Sequence, residues 1–151
     1  MGELVVYLDS SSIVKRYVQE PGSSLVRDAY VKAYSAELVI AFSSWNLGEV
    51  LGAFDKAAVR GILSEDDYLI VKSRFLAETR RMFLLGILNI IPVRFRLLAE
   101  CWKLVEKYHI YQADALQIVS AKDIKSAKFI TGDKKLSEVA SLEGLNAELT
   151  A

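Results

Sequence analysis

Short apolar runs, each followed by a helical pattern, recur along this chain, and that alternation restricts its fold more than any other feature. Leu4-Val5-Val6-Tyr7-Leu8 and Leu38-Val39-Ile40-Ala41-Phe42 are continuously apolar and rich in β-branched residues, and Leu88-Asn89-Ile90-Ile91-Pro92-Val93 and Lys128-Phe129-Ile130-Thr131 are a third and a fourth strand candidate. The continuous runs are the signature of strands buried on both faces, not of strands with one wet side. Helices are expected between them: through Ile13, Val14 and Tyr17, ending before Pro21-Gly22; over Ser24 to Tyr34; from a Ser43 or Ser44 cap to Gly61; and from Ser64 to about Leu85. Leu97 to Tyr108, Ala113 to Ile124 and a segment through Leu136 and Val139 give the remaining helices, and Asn146 to Leu149 an edge strand. Strands separated by helices predict a three-layer α/β/α fold with a central, mostly parallel sheet of about four to five strands.

At 151 residues, 52% hydrophobic and 25% charged, the chain fits one domain over residues 1–151 with a real core, and a disordered or collagen-like chain is excluded. Lys+Arg and Asp+Glu both number 19, so no bulk charge attracts nucleic acid or an anionic membrane. An anionic partner has to be held locally. The single Cys101 falls in a helical pattern and reads as a buried thiol in a reducing compartment. The greasy stretch Met82 to Val93 is far short of the roughly 20 residues that span a bilayer, and the start lacks a basic signal-peptide region, so a cytoplasmic protein without a membrane partner is expected.

Sites in open α/β sheets lie beyond the carboxyl ends of the strands, which directs attention to the residues there. Asp9 follows the first strand, Asp133 follows the fourth through Thr131-Gly132, and Asp114 opens a short helix on the stripe of Ile118 and Ala121. Glu49 lies in the helix after the second strand, off its apolar stripe and among Trp45, Gly52, Ala53 and Lys56, and Gly48 with Gly52 suggest the close approach of a bulky partner. Taken singly, Asp9, Asp133 and Asp114 also suit helix N-caps, and Glu49 a solvated face. If they converge, a cation is required, because two carboxylates about 4 Å apart repel by about 4 kcal/mol at an effective dielectric of 20. An all-carboxylate set suits Mg²⁺ or Mn²⁺ and argues against zinc or copper. His109 has no partner histidine and reads as the end of a helix.

The segments Leu8-Asp9-Ser10-Ser11-Ser12-Ile13-Val14-Lys15-Arg16-Tyr17, Glu20-Pro21-Gly22, Leu47-Gly48-Glu49-Val50-Leu51, Ala113-Asp114-Ala115-Leu116-Gln117-Ile118-Val119-Ser120-Ala121 and Phe129-Ile130-Thr131-Gly132-Asp133 resemble, in this order and spacing, a PIN domain of the VapC toxin type. The resemblance runs from about residue 4 to residue 149. It implies a metal-dependent endoribonuclease with Asp9, Glu49, Asp114 and Asp133 as catalytic and metal-holding acids, and Ser10 and Thr131 as supporting hydroxyls. It also implies a cognate antitoxin and a homodimer. The long helix from Ser64 to Leu85 and the neutral overall charge are departures that bear on the substrate.

An RNA substrate has to be gripped by its phosphates. Arg74, Arg80, Arg81, Arg94 and Arg96 surround the lone acid Glu78, and Lys15, Arg16, Lys134 and Lys135 lie near the acid-bearing segments; Lys15, Arg16, Arg80, Arg81 and Lys134 are the leading candidates. Tyr7, Tyr17, Trp45, Phe54, Phe75, Trp102 and Tyr108 sit mostly at core periodicity. With a mean hydropathy of +0.24, the surplus in Met82, Phe83, Leu84, Leu85, Ile87 and Leu88 is enough to cover a dimer seam or an antitoxin groove. A PIN-fold RNA-binding or regulatory module without nuclease activity is the alternative. Phosphotransfer on Asp9 is disfavoured, since no acid stands two residues on and the fourth strand leads into Thr131-Gly132-Asp133 and not into a lysine.

Overall fold

A computed structural model describes residues 3–150. The elements run β1 (Val5–Leu8), α1 (Ser10–Tyr17), α2 (Ser23–Tyr34), β2 (Val39–Ser43), α3 (Trp45–Val59), α4 (Glu65–Leu84), β3 (Leu88–Ile91), α5 (Phe95–Tyr108), α6 (Gln112–Asp123), β4 (Lys128–Thr131), α7 (Lys134–Leu142) and β5 (Ala147–Leu149). The five strands form one sheet in the order β3-β2-β1-β4-β5. Every pairing is parallel, with Val5 opposite Val39, Tyr7 opposite Phe129, Ala41 opposite Asn89 and Ile130 opposite Glu148. The mostly parallel sheet expected from the sequence is thus wholly parallel, and its edge strand after Asn146 is present.

Both faces are covered, as continuous apolar strands require. Val5, Tyr7, Ala41, Ile91 and Phe129 point to one side and pack with Leu97, Cys101, Leu104, Leu116, Ile118 and Leu136 from α5, α6 and α7. Val6, Leu8, Ile40, Phe42, Leu88 and Ile130 point to the other and pack with Ile13, Val26, Tyr30, Val50, Phe54, Val71 and Phe75 from α1 to α4. Cys101 is fully buried, and burial pushes its thiol up to about 11. Trp45 and Trp102, placed in the core by periodicity, are instead each 50% exposed. Among the described residues no helix is long and apolar enough to cross a membrane.

Local chemistry sets the element ends. The Ser64 hydroxyl caps α4 by accepting from the Asp67 amide at 3.0 Å, and Glu65, Asp66 and Asp67 fill the first turn, complementing the helix dipole. Gly22 starts α2 at φ +90°, where a Cβ would also overlap the Thr150 backbone. His109 ends α5 in the left-handed conformation at φ 56°.

The chain runs β1 to β2 to β3 toward one edge and reaches β4 and β5 on the other. The direction of winding therefore reverses between β1 and β4. Such a reversal opens a crevice beyond the carboxyl ends of the two strands.

Candidate functional site

Asp9 and Asp133 stand at that crevice. Asp9 directly follows β1 and is 4% exposed. Its Oδ1 accepts from the Ser12 amide at 3.0 Å, capping α1, and from Ser11 Oγ at 2.7 Å, while its Oδ2 accepts from Thr131 Oγ1 at 2.5 Å. Burial raises the proton affinity of Asp9, and these hydrogen bonds oppose that rise. Asp133 caps α7 through the Leu136 amide at 3.1 Å, and its own amide donates to Thr131 Oγ1 at 3.0 Å. The capping reading of these two acids therefore holds, and both are also tied to Thr131. One oxygen of each carboxylate secures a helix start, and Thr131 ties the two strand ends together.

Asp114 is different. It lies in the first turn of α6, whose N-cap is Tyr111 with no side-chain cap bond. Its carboxyl is raised above the usual range first by burial and then by the charges of Asp133, Glu49 and Asp9, with Lys135 opposing. The charges of acids from three other segments thus reach Asp114. Glu49, on α3, is exposed, and its Oε1 accepts the Ser10 hydroxyl at 2.7 Å. Among the described residues no three His, Cys, Asp or Glu side chains converge at metal-ligand distance, so the acids neighbour each other without closing a cage.

Beneath the acids lies a layer that sequence reasoning missed. Asn46, fully buried, donates to Ser10 Oγ at 2.7 Å and to Gln117 Oε1 at 2.8 Å, and Tyr7 donates to the same Gln117 oxygen at 2.8 Å. Asn46 lies one helical turn from Glu49 and Gln117 one turn from Asp114, which puts each amide on the same helix face as an acid.

The basic candidates separate by what they already hold. The Arg16 guanidinium is committed to Glu78 on α4, with Nε and Nη2 each 2.9 Å from a carboxylate oxygen, and Tyr17 and Tyr34 donate to the same carboxylate. Lys15 lies over Gly132, where a Cβ would meet Lys15 Cε, Ser11 Oγ and Thr150 Oγ1 at 3.2 Å each, and it pairs loosely with Glu20 at 3.8 Å. Lys134 and Lys135 are exposed at the start of α7, and Arg80 and Arg81 are exposed on α4. A Cβ at Gly48 or Gly52 would meet nothing within 4 Å, so no part of the described chain makes the close approach expected there.

The PIN domain family model matches residues 6–142, a span that contains all four acids. The chain belongs to the PIN domain family. A search of curated protein sequences finds no match. Among solved structures, this PIN domain is similar to the Mycobacterium tuberculosis VapC20 toxin, which cleaves the sarcin-ricin loop, at 12% identity and a TM-score of 0.63 over 93% of this chain and 95% of that one. The Rickettsia felis VapBC2 complex, bound to a promoter DNA fragment, matches at 18% identity and 0.62 over 97% and 98%. A Klebsiella pneumoniae toxin–antitoxin complex matches at 14% and 0.62 over the same shares. At these identities the likeness is one of fold, and it is the α/β fold expected from the sequence.

Proposed function

We propose that this PIN domain is a divalent-metal-dependent endoribonuclease and the toxin of a toxin–antitoxin pair. The observation that carries the reading is Asp114, whose proton affinity is raised first by burial and then by the nearby charges of Asp133, Glu49 and Asp9. Acids that follow β1 and β4 and stand on α3 and α6 would repel one another, and a shared cation would make the arrangement favourable.

The donor set fits Mg²⁺ or Mn²⁺. It is entirely carboxylate, and Mg²⁺ keeps several waters while taking only one or two carboxylates directly. Asp9, Asp114 and Asp133 would hold the ion, with Glu49 beside them. When bound, such an ion supplies positive charge that polarises a phosphodiester and stabilises the leaving oxygen.

The chain's own residues do the rest. Asp9 is a fixed anchor, because Ser11, Ser12 and Thr131 hold its oxygens in place. Glu49, exposed and pinned by Ser10, orients the attacking water. Lys134 and Lys135, with Lys15 beside Gly132, grip the flanking phosphates, as do Arg80 and Arg81 farther out. The toxin–antitoxin complexes of similar fold support an antitoxin partner. Phe83, Leu84 and Leu85, exposed at 55%, 70% and 61%, offer apolar surface for that partner or for a homodimer.

The test is incubation of the purified chain with RNA of mixed sequence and Mn²⁺, with a chelator control and an Asp114→Asn variant of matched circular dichroism. Cleavage by the wild type alone, lost on chelation, is expected. RNA that is bound but left intact would replace the nuclease reading with that of a binding module.

A further inference from the structure

Asn46 uses both of its donors and its oxygen. Its Oδ1 accepts from the Ser43 amide at 2.7 Å, and its Nδ2 donates to Ser10 Oγ at 2.7 Å and to Gln117 Oε1 at 2.8 Å. The Ser43 N–H can only donate, which fixes which end of the amide is oxygen. The Asn46 nitrogen can then only donate to Ser10. Ser10 therefore accepts there and places its own proton on Glu49 Oε1, 2.7 Å away. The polarity of the Ser10–Glu49 bond is thus set from below by a fully buried side chain.

A second bond carries the brace across the site. Asn46 lies one turn before Glu49 on α3, and Gln117 one turn after Asp114 on α6, so their amide–amide bond joins the turns that bear two of the acids. Gln117 also accepts from Tyr7, two residues before Asp9. Gln117 Nε2 finds no partner although the residue is 3% exposed. The glutamine carries this orphan donor while its oxygen serves the two buried donors Asn46 Nδ2 and Tyr7 OH, so its place here is tied to the bond across the site.

We propose that Asn46 is a positioning residue of this site: it aims the Ser10 hydroxyl at Glu49 and, through Gln117, holds the turn bearing Glu49 against the turn bearing Asp114. The proposal rests on the reading of the acids as a metal-dependent nuclease centre. Asn46 meets neither RNA nor ion and acts only through Ser10 and Gln117.

Asn46→Asp tests this most sharply, because it keeps the shape and the acceptors but has no donor, and so draws the Ser10 proton away from Glu49. In Mn²⁺-supported RNA cleavage, kcat is expected to fall about tenfold with KM unchanged. Ser10→Ala is expected to give a similar loss, and the double variant to be no worse than the poorer single one, as for residues acting in one chain. Unchanged kcat in Asn46→Asp, or losses that multiply in the double variant, would overturn the proposal. If Asn46→Asp does not fold, Gln117→Met keeps the buried volume but removes the acceptor shared by Asn46 and Tyr7, so some loss of melting temperature is expected; measured below that temperature, where circular dichroism matches the wild type, a several-fold fall in kcat is expected, and unchanged kcat would overturn the proposal. Calorimetry with Mn²⁺ alone separates this proposal from the reading it rests on. The same non-additive weakening of Mn²⁺ affinity is expected there, so a wild type that binds Mn²⁺ without cutting RNA overturns only the nuclease reading, with affinities that multiply or do not change overturning the role of Asn46. A wild type that takes up no Mn²⁺ overturns both.

Discussion

Thr131 Oγ1 donates to Asp9 Oδ2 at 2.5 Å and accepts from the Asp133 amide at 3.0 Å, so one hydroxyl joins the ends of two adjacent parallel strands, 122 residues apart in sequence. Thr131 is fully buried. Replacing it with valine keeps the β-branched shape but leaves a buried carboxylate oxygen without its donor, at a cost of about 1–3 kcal/mol. Urea denaturation of Thr131→Val is expected to show a loss in that range, with Thr131→Ser retaining most of the wild-type stability. Cleavage is expected to fall in the valine variant even where it remains folded.

Asp114 carries a penalty that its removal should reveal. Its folded-state proton affinity is raised, by burial and by Asp133, Glu49 and Asp9. A carboxyl raised on folding lowers stability at pH values above its folded pKa, and the penalty fades as pH falls through that value toward the unfolded one. Metal-free Asp114→Asn is therefore expected to melt a few degrees above the wild type at neutral pH, where about 1 kcal/mol corresponds to roughly 2–4 °C. The difference should shrink on acidification, and adding Mn²⁺ should raise the wild type and not the variant. Differential scanning calorimetry at several pH values checks both signs.

Glu78 has the opposite sign. Burial alone would raise its carboxyl, but the Arg16 fork and the Tyr17 and Tyr34 hydroxyls together hold it below the ordinary range. That stabilisation is present above the unfolded carboxylate value of about 4.3 and is lost as pH falls through the depressed folded value. Removing the cation leaves a buried charge, so Arg16→Ala is expected to cost about 3 kcal/mol in urea denaturation at neutral pH, with the gap from the wild type closing in strong acid.

The same ion pair separates Arg16 from the phosphate-gripping residues. Lys135 acts on Asp114 and is exposed, whereas Arg16 is already held by Glu78. Lys135→Ala is expected to weaken RNA binding and to reduce the slope of log affinity against log salt by about 0.7, the single-strand value for one phosphate contact. Arg16→Ala, measured under conditions where it is folded, is expected to leave that slope unchanged. Filter binding over a range of salt concentrations distinguishes the two.

What the sequence made legible follows from what is local. Continuous apolar runs such as Leu38 to Phe42 mark strands buried on both faces without knowledge of any partner, and Asp9 and Asp133 are found by looking just past such runs. Glu49 stands out because it lies off the apolar stripe of its helix, on a face with two glycines. Asn46 and Gln117 do not, since an amide in a helix has no periodic signature and their bond spans 71 residues. The pairing of Arg16 with Glu78 across 62 residues was equally hidden, and so Arg16 reads from sequence as a free cation. Trp45 and Trp102 misled because aromatic residues at core spacing also occur on faces the chain does not cover.

Isothermal titration of the metal-free chain with Mn²⁺, beside Asp114→Asn, bears most directly on whether these acids share an ion. Saturable uptake by the wild type, weakened about tenfold or more in the variant, as expected where a ligand is removed, is the anticipated result. No uptake by the wild type, or equal affinity in the two proteins, would contradict the metal site and with it the nuclease built upon it.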